Sequence, residues 1–207
     1  MPILKEALKQ KKVAILSADK LIIDSKVFTT DNLKQLPAEL NPAEIATKRE
    51  NGVTAFFSAA TPLSNFYPTP QLKIKGHMWN TVEQYFQYQK AIFGECPDKA
   101  RMIKLAEQPA LCKKIGDSVQ IEDPQWLPLA KNCMYEACRA KFLSDPIARS
   151  FLIATGDTKL AEAGPNTTWG TGIRLNDPKA CIPHEWNGSN ELGKILEAIR
   201  NELNDFP

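Results

Sequence analysis

Glu83 and Lys90 are the residues whose types and spacing most directly invite chemistry. They stand seven positions apart, two turns of a helix, so a carboxylate and an amine would share one face roughly 10 Å apart. The stretch that carries them, Asn80-Thr81-Val82-Glu83-Gln84-Tyr85-Phe86-Gln87-Tyr88-Gln89-Lys90-Ala91, reads as the start of a helix. Asn80 stands where a cap belongs, and Glu83 follows three residues later, where a carboxylate completes a capping box. Val82, Tyr85, Phe86 and Ile92 fall near helical period and predict one side turned to a core. An acid and an amine beside Gln and Tyr on such a side are more polar chemistry than packing requires. A capped helix with a solvated Glu and Lys explains the same pattern, so the rest of the chain has to decide.

The 207 residues suit one domain of ordinary size, or a domain with an extension. No apolar run approaches a membrane span, and the charged start Met1-Pro2-Ile3-Leu4-Lys5-Glu6 is not a secretory signal. Cys96, Cys112, Cys133, Cys138 and Cys181 are odd in number and never in C-x-x-C spacing, the pattern of reduced thiols in a cytosolic or nuclear protein. His77 and His184 are the only imidazoles, which excludes a multi-histidine metal site and assigns histidine no chemistry. No metal and no cofactor is expected. A net charge of +2 neither demands nor excludes a nucleic-acid partner.

The elements that must position these groups follow in order. Residues 4–12 read as a short basic helix. Residues 13–16, 20–24 and 26–29 read as strands of a small meander, and residues 36–42 as a proline-marked connection. A charged loop, Lys48-Arg49-Glu50-Asn51-Gly52, marks the boundary between an accessory extension, 1–52, and a main domain, 53–207. Val53 to Phe57 is a strand. Pro62, Pro68 and Pro70 hold the next segment as an extended loop presenting Ser64, Asn65, Phe66 and Tyr67. Leu72 to Lys75 is a strand turned by Gly76. Helices are expected over 98–107, over 109–115 with Gly116 as a stop, over 126–141 with Trp126, Ala130, Met134, Ala137 and Cys138 as its stripe, and over 147–154. The stretch 164–172 is the most loop-like of the chain. Another loop holds Trp186, and Asn190 or Ser189 caps a closing helix with the stripe Leu192, Ile195, Leu196, Ile199 and Leu203. The fold class is α+β: a compact, mainly helical domain with a few short strands and a small β-rich N-terminal extension.

Six motifs in this order carry a resemblance. They are Pro62-Leu63-Ser64-Asn65-Phe66-Tyr67-Pro68, Val82-Glu83-Gln84-Tyr85-Phe86-Gln87-x-Gln89-Lys90-Ala91, Ala140-Lys141-Phe142, Leu152-x-Ala154-Thr155-Gly156-Asp157, Trp169-Gly170-x-Gly172 and Trp186-x-Gly188-x-Asn190-x-Leu192-Gly193. Together they resemble the NADAR superfamily, also called YbiA-like, from about residue 53 to the C-terminus. The resemblance implies a metal-independent N-glycosidase that cleaves ribosyl–nitrogen bonds. One branch of the family hydrolyses phosphoribosylated pyrimidine intermediates of riboflavin synthesis; another removes ADP-ribose from guanine in DNA, a repair activity. Carried over by motif, Glu83 matches the family's essential acid, and Lys90 and Lys141 match its two motif lysines, either of which could form a Schiff base with the opened ribose. Trp126 and Trp169 match pocket tryptophans, and Asn65 a polar group of the first loop. Trp186 and Asn190 belong to the closing motif and are counted with the substrate-binding residues. One position departs: where family members often carry Asp three residues before the motif Trp, this chain has Asn166, which cannot act as a base.

Breaking a C1′–N bond builds positive charge on the ribose and negative charge on the departing base. Glu83 is expected to stabilise the first or activate water, ionised at neutral pH because a helix N-terminus favours its anion, unless its pKa is raised enough for it to protonate the base instead. Lys90, on the same face, is the preferred amine over Lys141. Trp126 and Trp169 are candidates to stack on a base, with core packing an equal account of Trp126. Ser64 and Asn65 would bind ribose or phosphate beside Phe66, and the amides around Gly170 and Gly172 a pyrophosphate. The expected partner is ADP-ribosylated nucleic acid, preferably single-stranded DNA, or an ADP-ribose-like small molecule, in the cytoplasm or nucleus and away from membranes. The alternatives are the riboflavin-intermediate hydrolase and a non-catalytic ADP-ribose-binding module, the latter if Asn166 marks lost catalysis.

Overall fold

The computed structural model describes the backbone of Val13–Ser17, Lys20–Ile23 and Lys26–Thr29, and residues 46–205 with their side chains. The helix expected over 4–12 and the connection over 36–42 lie outside the described residues. The three short strands β1 (Val13–Ser17), β2 (Lys20–Ile23) and β3 (Lys26–Thr29) form the expected antiparallel meander, with Val13 opposite Ile23 and Lys20 opposite Thr29.

The chain is α+β and folds as two compact units: the described residues up to Ser64 together with those from Asp145 onward, and Asn65–Ser144. The first unit is built on a three-stranded sheet of order β4 (Thr47–Glu50), β5 (Val53–Phe56), β8 (Lys159–Glu162). Residues 47–50 are therefore a strand, where the charge pattern predicts a loop. They pair antiparallel with β5 across a turn at Asn51 and Gly52, both at positive φ. The exposed charges of Arg49 and Glu50 sit on an edge strand, the usual place for charge in a sheet. β5 pairs parallel with β8 and is buried along its whole length, its one polar side chain, Thr54, hydrogen-bonded to the Thr158 hydroxyl at 2.7 Å. Val53, Ala55, Ala161, Ala163, Ile173, Ala180 and Cys181 make the core here, with Leu175 and Trp186 against it. The helices of this unit are α5 (Pro146–Ile153), capped by Asp145, and α6 (Glu191–Asp205). Short 3₁₀ turns at Pro178–Cys181 and Pro183–Glu185 lead into the closing loop.

The second unit holds the hairpin β6 (Leu72–Ile74) and β7 (His77–Trp79), then α1 (Val82–Phe93), α2 (Pro97–Leu105), α3 (Pro109–Asp117) and α4 (Trp126–Ser144). α1 is the hub, packed by α2, α3 and α4. Two expectations about α1 are corrected. Thr81, not Asn80, is the cap: its hydroxyl accepts from Gln84 N at 3.1 Å, and Asn80 N donates to Gln84 Oε1 at 2.8 Å. The cap thus sits one residue later than the sequence reading: Gln84 N bonds the Thr81 hydroxyl, while the Gln84 side chain reaches past the cap to the Asn80 amide. The core side is also wider than a stripe, since Val82 through Gln87 are all buried while Ile92 is 48% exposed. The first turn and a half of α1 is enclosed on every side, so its polar residues need protein partners.

Gln84 shows how that demand is met. Its Nε2 lies 3.1, 3.2 and 2.9 Å from the carbonyls of Ile103, Lys104 and Ala106, a branched contact that caps the C-terminal end of α2. Gln84→Ala is expected to strand these carbonyls and the Asn80 amide, lowering stability by about 2–3 kcal/mol. Urea denaturation at unchanged m-value checks it.

Gly116 lies inside α3 and does not stop it, because α3 runs to Asp117. α4 continues three residues past its expected end. Its buried stripe, Ala130, Cys133, Met134, Ala137, Cys138, Lys141 and Phe142, keeps four of the five expected residues, leaves out the partly exposed Trp126, and adds Cys133, Phe142 and a lysine. None of the five cysteines forms a disulfide, and no helix among the described residues is long and apolar enough to cross a membrane.

Candidate active site

Glu83 occupies the second position of α1 and is 6% exposed. Its amide donates to Asn65 O at 3.1 Å, and its Oε1 accepts from Gln87 Nε2 at 2.8 Å. Burial raises its pKa from the ordinary carboxylate value to about 6, against the hydrogen bond from Gln87 and the fields of Lys113 and Lys90, which lower it. The helix-dipole expectation of a readily ionised carboxylate has the wrong sign for the shift, because desolvation outweighs the helix terminus. At pH 7 the group is still about nine-tenths ionised, with a protonated population available just below neutrality.

Gln87 is buried beside it, and its Oε1 has no hydrogen-bond partner among the described residues. A Cβ on Gly116 would fall 1.9 Å from that Oε1, so only glycine on α3 leaves room for the Gln87 amide. The Gly116 carbonyl in turn accepts from Lys90 Nζ at 3.0 Å. Lys90 therefore does share the Glu83 side of α1, half-buried, with its pKa lowered by burial.

Lys141 is far more deeply placed, at 1% exposure. Residues 134, 137, 138 and 141 fall on one helical face, which carries this lysine into the buried stripe of α4. Its Nζ lies 4.9 Å from the Phe142 ring centroid and 5.6 Å from that of Tyr67, the electron-rich surroundings that tolerate a desolvated ammonium. The Asn65–Tyr67 loop connects the two groups. Asn65 O holds the Glu83 amide, while the buried Asn65 side chain turns to α4: Nδ2 lies 3.2 Å from Met134 Sδ, and Cys138 Sγ lies 3.6 Å from Oδ1. Sulfur is a weak partner, so the Asn65 amide keeps unspent hydrogen-bonding capacity inside the protein. Phe66, next along, is partly exposed.

Trp126 opens α4, partly exposed, with ring centroids 5.9 Å from Phe86 and 5.3 Å from Phe93. It belongs to an aromatic cluster. A separate groove of about 440 Å³ beside β6 and α4 is lined by Lys73, Lys75, Glu136 and Arg139 among others, and it contains none of the expected site residues. Among the described residues no group of three or more His, Cys, Asp or Glu side chains is arranged to hold a metal.

The remaining expected residues, Ser64, Asn166, Trp169, Gly170, Trp186 and Asn190, belong to the first unit. Ser64 is buried, and its amide donates to Thr61 O at 3.1 Å. Asn166 is exposed, and its Oδ1 accepts from the amides of Thr168 at 2.9 Å and Trp169 at 2.7 Å, so it shapes the turn that presents Trp169. An aspartate could accept the same two bonds, so this turn does not depend on which of the two residues is present. The two closing loops zip together: Ser189 N to Thr167 O, Asn190 N to Gly170 O, Glu191 N to Thr168 O and Leu192 N to Trp169 O span 2.7–3.0 Å. These carbonyls satisfy the first amides of α6. A Cβ on Gly188 would fall 2.3 Å from Gly170 O, so the zipper requires glycine there. The Asn190 side chain does not cap α6. It is buried against the free edge of β8, donating to Leu160 O at 2.8 Å and accepting from Glu162 N at 3.1 Å, as a neighbouring strand would. Trp186 Nε1 donates to Ala180 O at 3.1 Å, and the ring packs on the core.

Sequence reasoning left three contributors without a role. Gln87 and Tyr67 sat inside quoted motifs, noted for their polarity and their loop but assigned no role. Glu162, whose Oε2 would lie 3.5 Å from a Cβ on Gly170, ends the parallel strand β8, the end of such strands where sites gather.

A buried carboxylate with its pKa raised to about 6 and a buried lysine, both beside the Asn65–Tyr67 loop, give this α+β protein groups for acid–base or amine chemistry, with no metal ligand set among the described residues. The chain belongs to the NADAR domain family, which matches residues 48–204. It is 31% identical over 176 residues to Protein irg-1 of Caenorhabditis elegans, covering 77% of this chain and 83% of that protein. It is 30% identical over 142 residues to the N-glycosidase YbiA of Escherichia coli, covering 68% and 79%. The Riboflavin biosynthesis protein VVA0006 of Vibrio vulnificus is 28% identical over 144 residues, and the match spans only 35% of that longer protein. The NMR structure of E. coli YbiA aligns with a TM-score of 0.62 at 26% identity, covering 82% of this chain and 94% of that one.

Proposed function

We propose that this protein is an N-glycosidase acting on a ribosyl–base bond, and that its substrate is ADP-ribose attached to guanine in nucleic acid. The observation that carries the reading is the Asn65–Tyr67 loop, which holds the amide of Glu83 at one end and faces Lys141 at the other. Glu83, with its pKa near 6, is ionised often enough to stabilise the positive ribose or take a proton from water, and protonated often enough to return one to the base. Water supplies the hydroxyl that ends on C1′, and the base leaves with the proton. Lys141 is the amine able to take C1′ as a transient imine, and the under-satisfied Asn65 amide is a ready partner for a ribose hydroxyl.

The similarity to a riboflavin biosynthesis protein of Vibrio vulnificus favours a second reading, in which the bond cleaved is that of a phosphoribosylated pyrimidine intermediate. Incubating the protein with ADP-ribosylated single-stranded DNA and, separately, with that intermediate distinguishes the two. Free ADP-ribose and unmodified guanine by mass spectrometry are the expected result. Ribose phosphate released from the intermediate alone assigns the second reading. Tight ADP-ribose binding by calorimetry with neither product identifies a binding module, and the N-glycosidase assignment falls.

A further inference from the structure

We infer that Gln87 is a positioning residue for Glu83, holding the carboxyl group in both of its protonation states through an amide seated against Gly116. The inference rests on the reading of Glu83 as the catalytic carboxylate. With Glu83 ionised, the observed arrangement applies: Gln87 Nε2 donates to Glu83 Oε1 at 2.8 Å. The other end of the same amide, Oε1, is buried and has no partner among the described residues. Packing would ordinarily remove such an atom or supply it with a donor. Turning the amide half a turn about its terminal torsion exchanges Oε1 and Nε2, two groups of nearly equal size. Oε1 then faces Glu83 and accepts the proton of a neutral carboxyl, so one side chain serves a group that must both give and take a proton.

The seat is built for this exchange. Gly116 meets the amide where any Cβ would stand 1.9 Å from Oε1 and 2.6 Å from Cδ. Lys90 holds the Gly116 carbonyl at 3.0 Å and so steadies that wall. The charged and titratable groups whose fields couple with Glu83 are Lys113, Asp117 and the Cys112 thiol on α3, and Lys90 on α1 itself. None of them is an acceptor of the Glu83 proton in the structure; the Gln87 amide is the group in hydrogen-bonding contact.

The test follows the Glu83 carboxyl by carbon NMR across pH 4–9, alongside the pH profile of kcat/KM. Gln87→Met keeps the side-chain length and removes the donor. The charge-assisted bond that Nε2 donates to the anion is stronger than the one Oε1 accepts from the neutral acid, so losing both is expected to raise the midpoint of Glu83 by about one pH unit, a tenfold change in its ionisation constant, and to move the acid limb of the rate profile with it. Gly116→Ala is expected to produce a shift in the same direction by displacing the amide, and no additional shift in a Gln87→Ala background, where nothing remains to displace. In the unsubstituted protein the Gln87 amide resonances are expected to titrate with the Glu83 midpoint and to stop doing so in Glu83→Gln. An unmoved Glu83 midpoint in Gln87→Met overturns the inference whatever the turnover. A moved midpoint with an unmoved rate profile overturns instead the catalytic reading of Glu83, and the positioning role with it.

Discussion

Glu83→Gln is expected to lower turnover by about 10²–10⁴-fold while making the folded protein more stable at neutral pH. The two effects have one cause. Glu83 is buried, and burial raises its carboxyl from 4.5 to about 6. A raised acid binds its proton more tightly in the folded chain than in the unfolded one. Its favourable contribution is therefore complete below the unfolded value and is lost as pH rises through the folded one. Across 4.5 to about 6 that difference corresponds to about 2 kcal/mol, present at pH 4 and absent by pH 8. Glutamine has no charge to desolvate and keeps an amide oxygen for Gln87. The variant should match the parent near pH 4.5 and exceed it by about 2 kcal/mol at pH 8, read from urea unfolding at each pH. Equal stabilities across the range would mean that Glu83 ionises in the fold as easily as in water.

Lys141→Met is expected to remove activity by about 10²–10³-fold. The substitution keeps the side chain's length on the α4 stripe and removes an ammonium from a site that is 1% exposed. Methionine sulfur also packs well against the Phe142 and Tyr67 rings that face the lysine now. Borohydride added during turnover should trap a reduced adduct on the protein, by adding hydride to the imine formed between Lys141 Nζ and C1′ of the opened ribose. The adduct should vanish in Lys141→Met and persist in Lys90→Met. Lys90 is half-buried and tethers the Gly116 carbonyl. Its loss should cost no more than about fivefold, the worth of one ordinary hydrogen bond. Adduct retained in Lys141→Met and lost in Lys90→Met would reverse the assignment. That outcome would restore the preference drawn from spacing alone, which put Lys90 ahead because it shares a helix face with Glu83.

The sequence by itself determined the fold class, nearly every helix and the β1–β3 meander, because each rests on periodicity, caps and turn residues a few positions apart. It also determined the family and named Glu83, Lys141 and Asn65, whose residue types recur in ordered motifs. Only the tertiary structure decided the environments. Thr47 to Glu50 became a strand because β5 offered an edge, a contact that local charge pattern does not encode. Glu83 proved raised in pKa because enclosure of α1 by other helices outweighs its own dipole, and enclosure is a property of packing. Gly116, which looks like a helix stop, proved to be the opening that admits the Gln87 amide. Asn190, which looks like a cap, proved to be a substitute strand on β8. For Gly116 and Asn190 the deciding partner lies far along the chain, 26 residues away for Lys90 and Gly116 and 30 for Asn190 and Leu160, whereas β4 meets β5 across the two-residue Asn51-Gly52 turn. Local sequence rules reach about one helical turn, and beyond that distance the same residue types fit several roles.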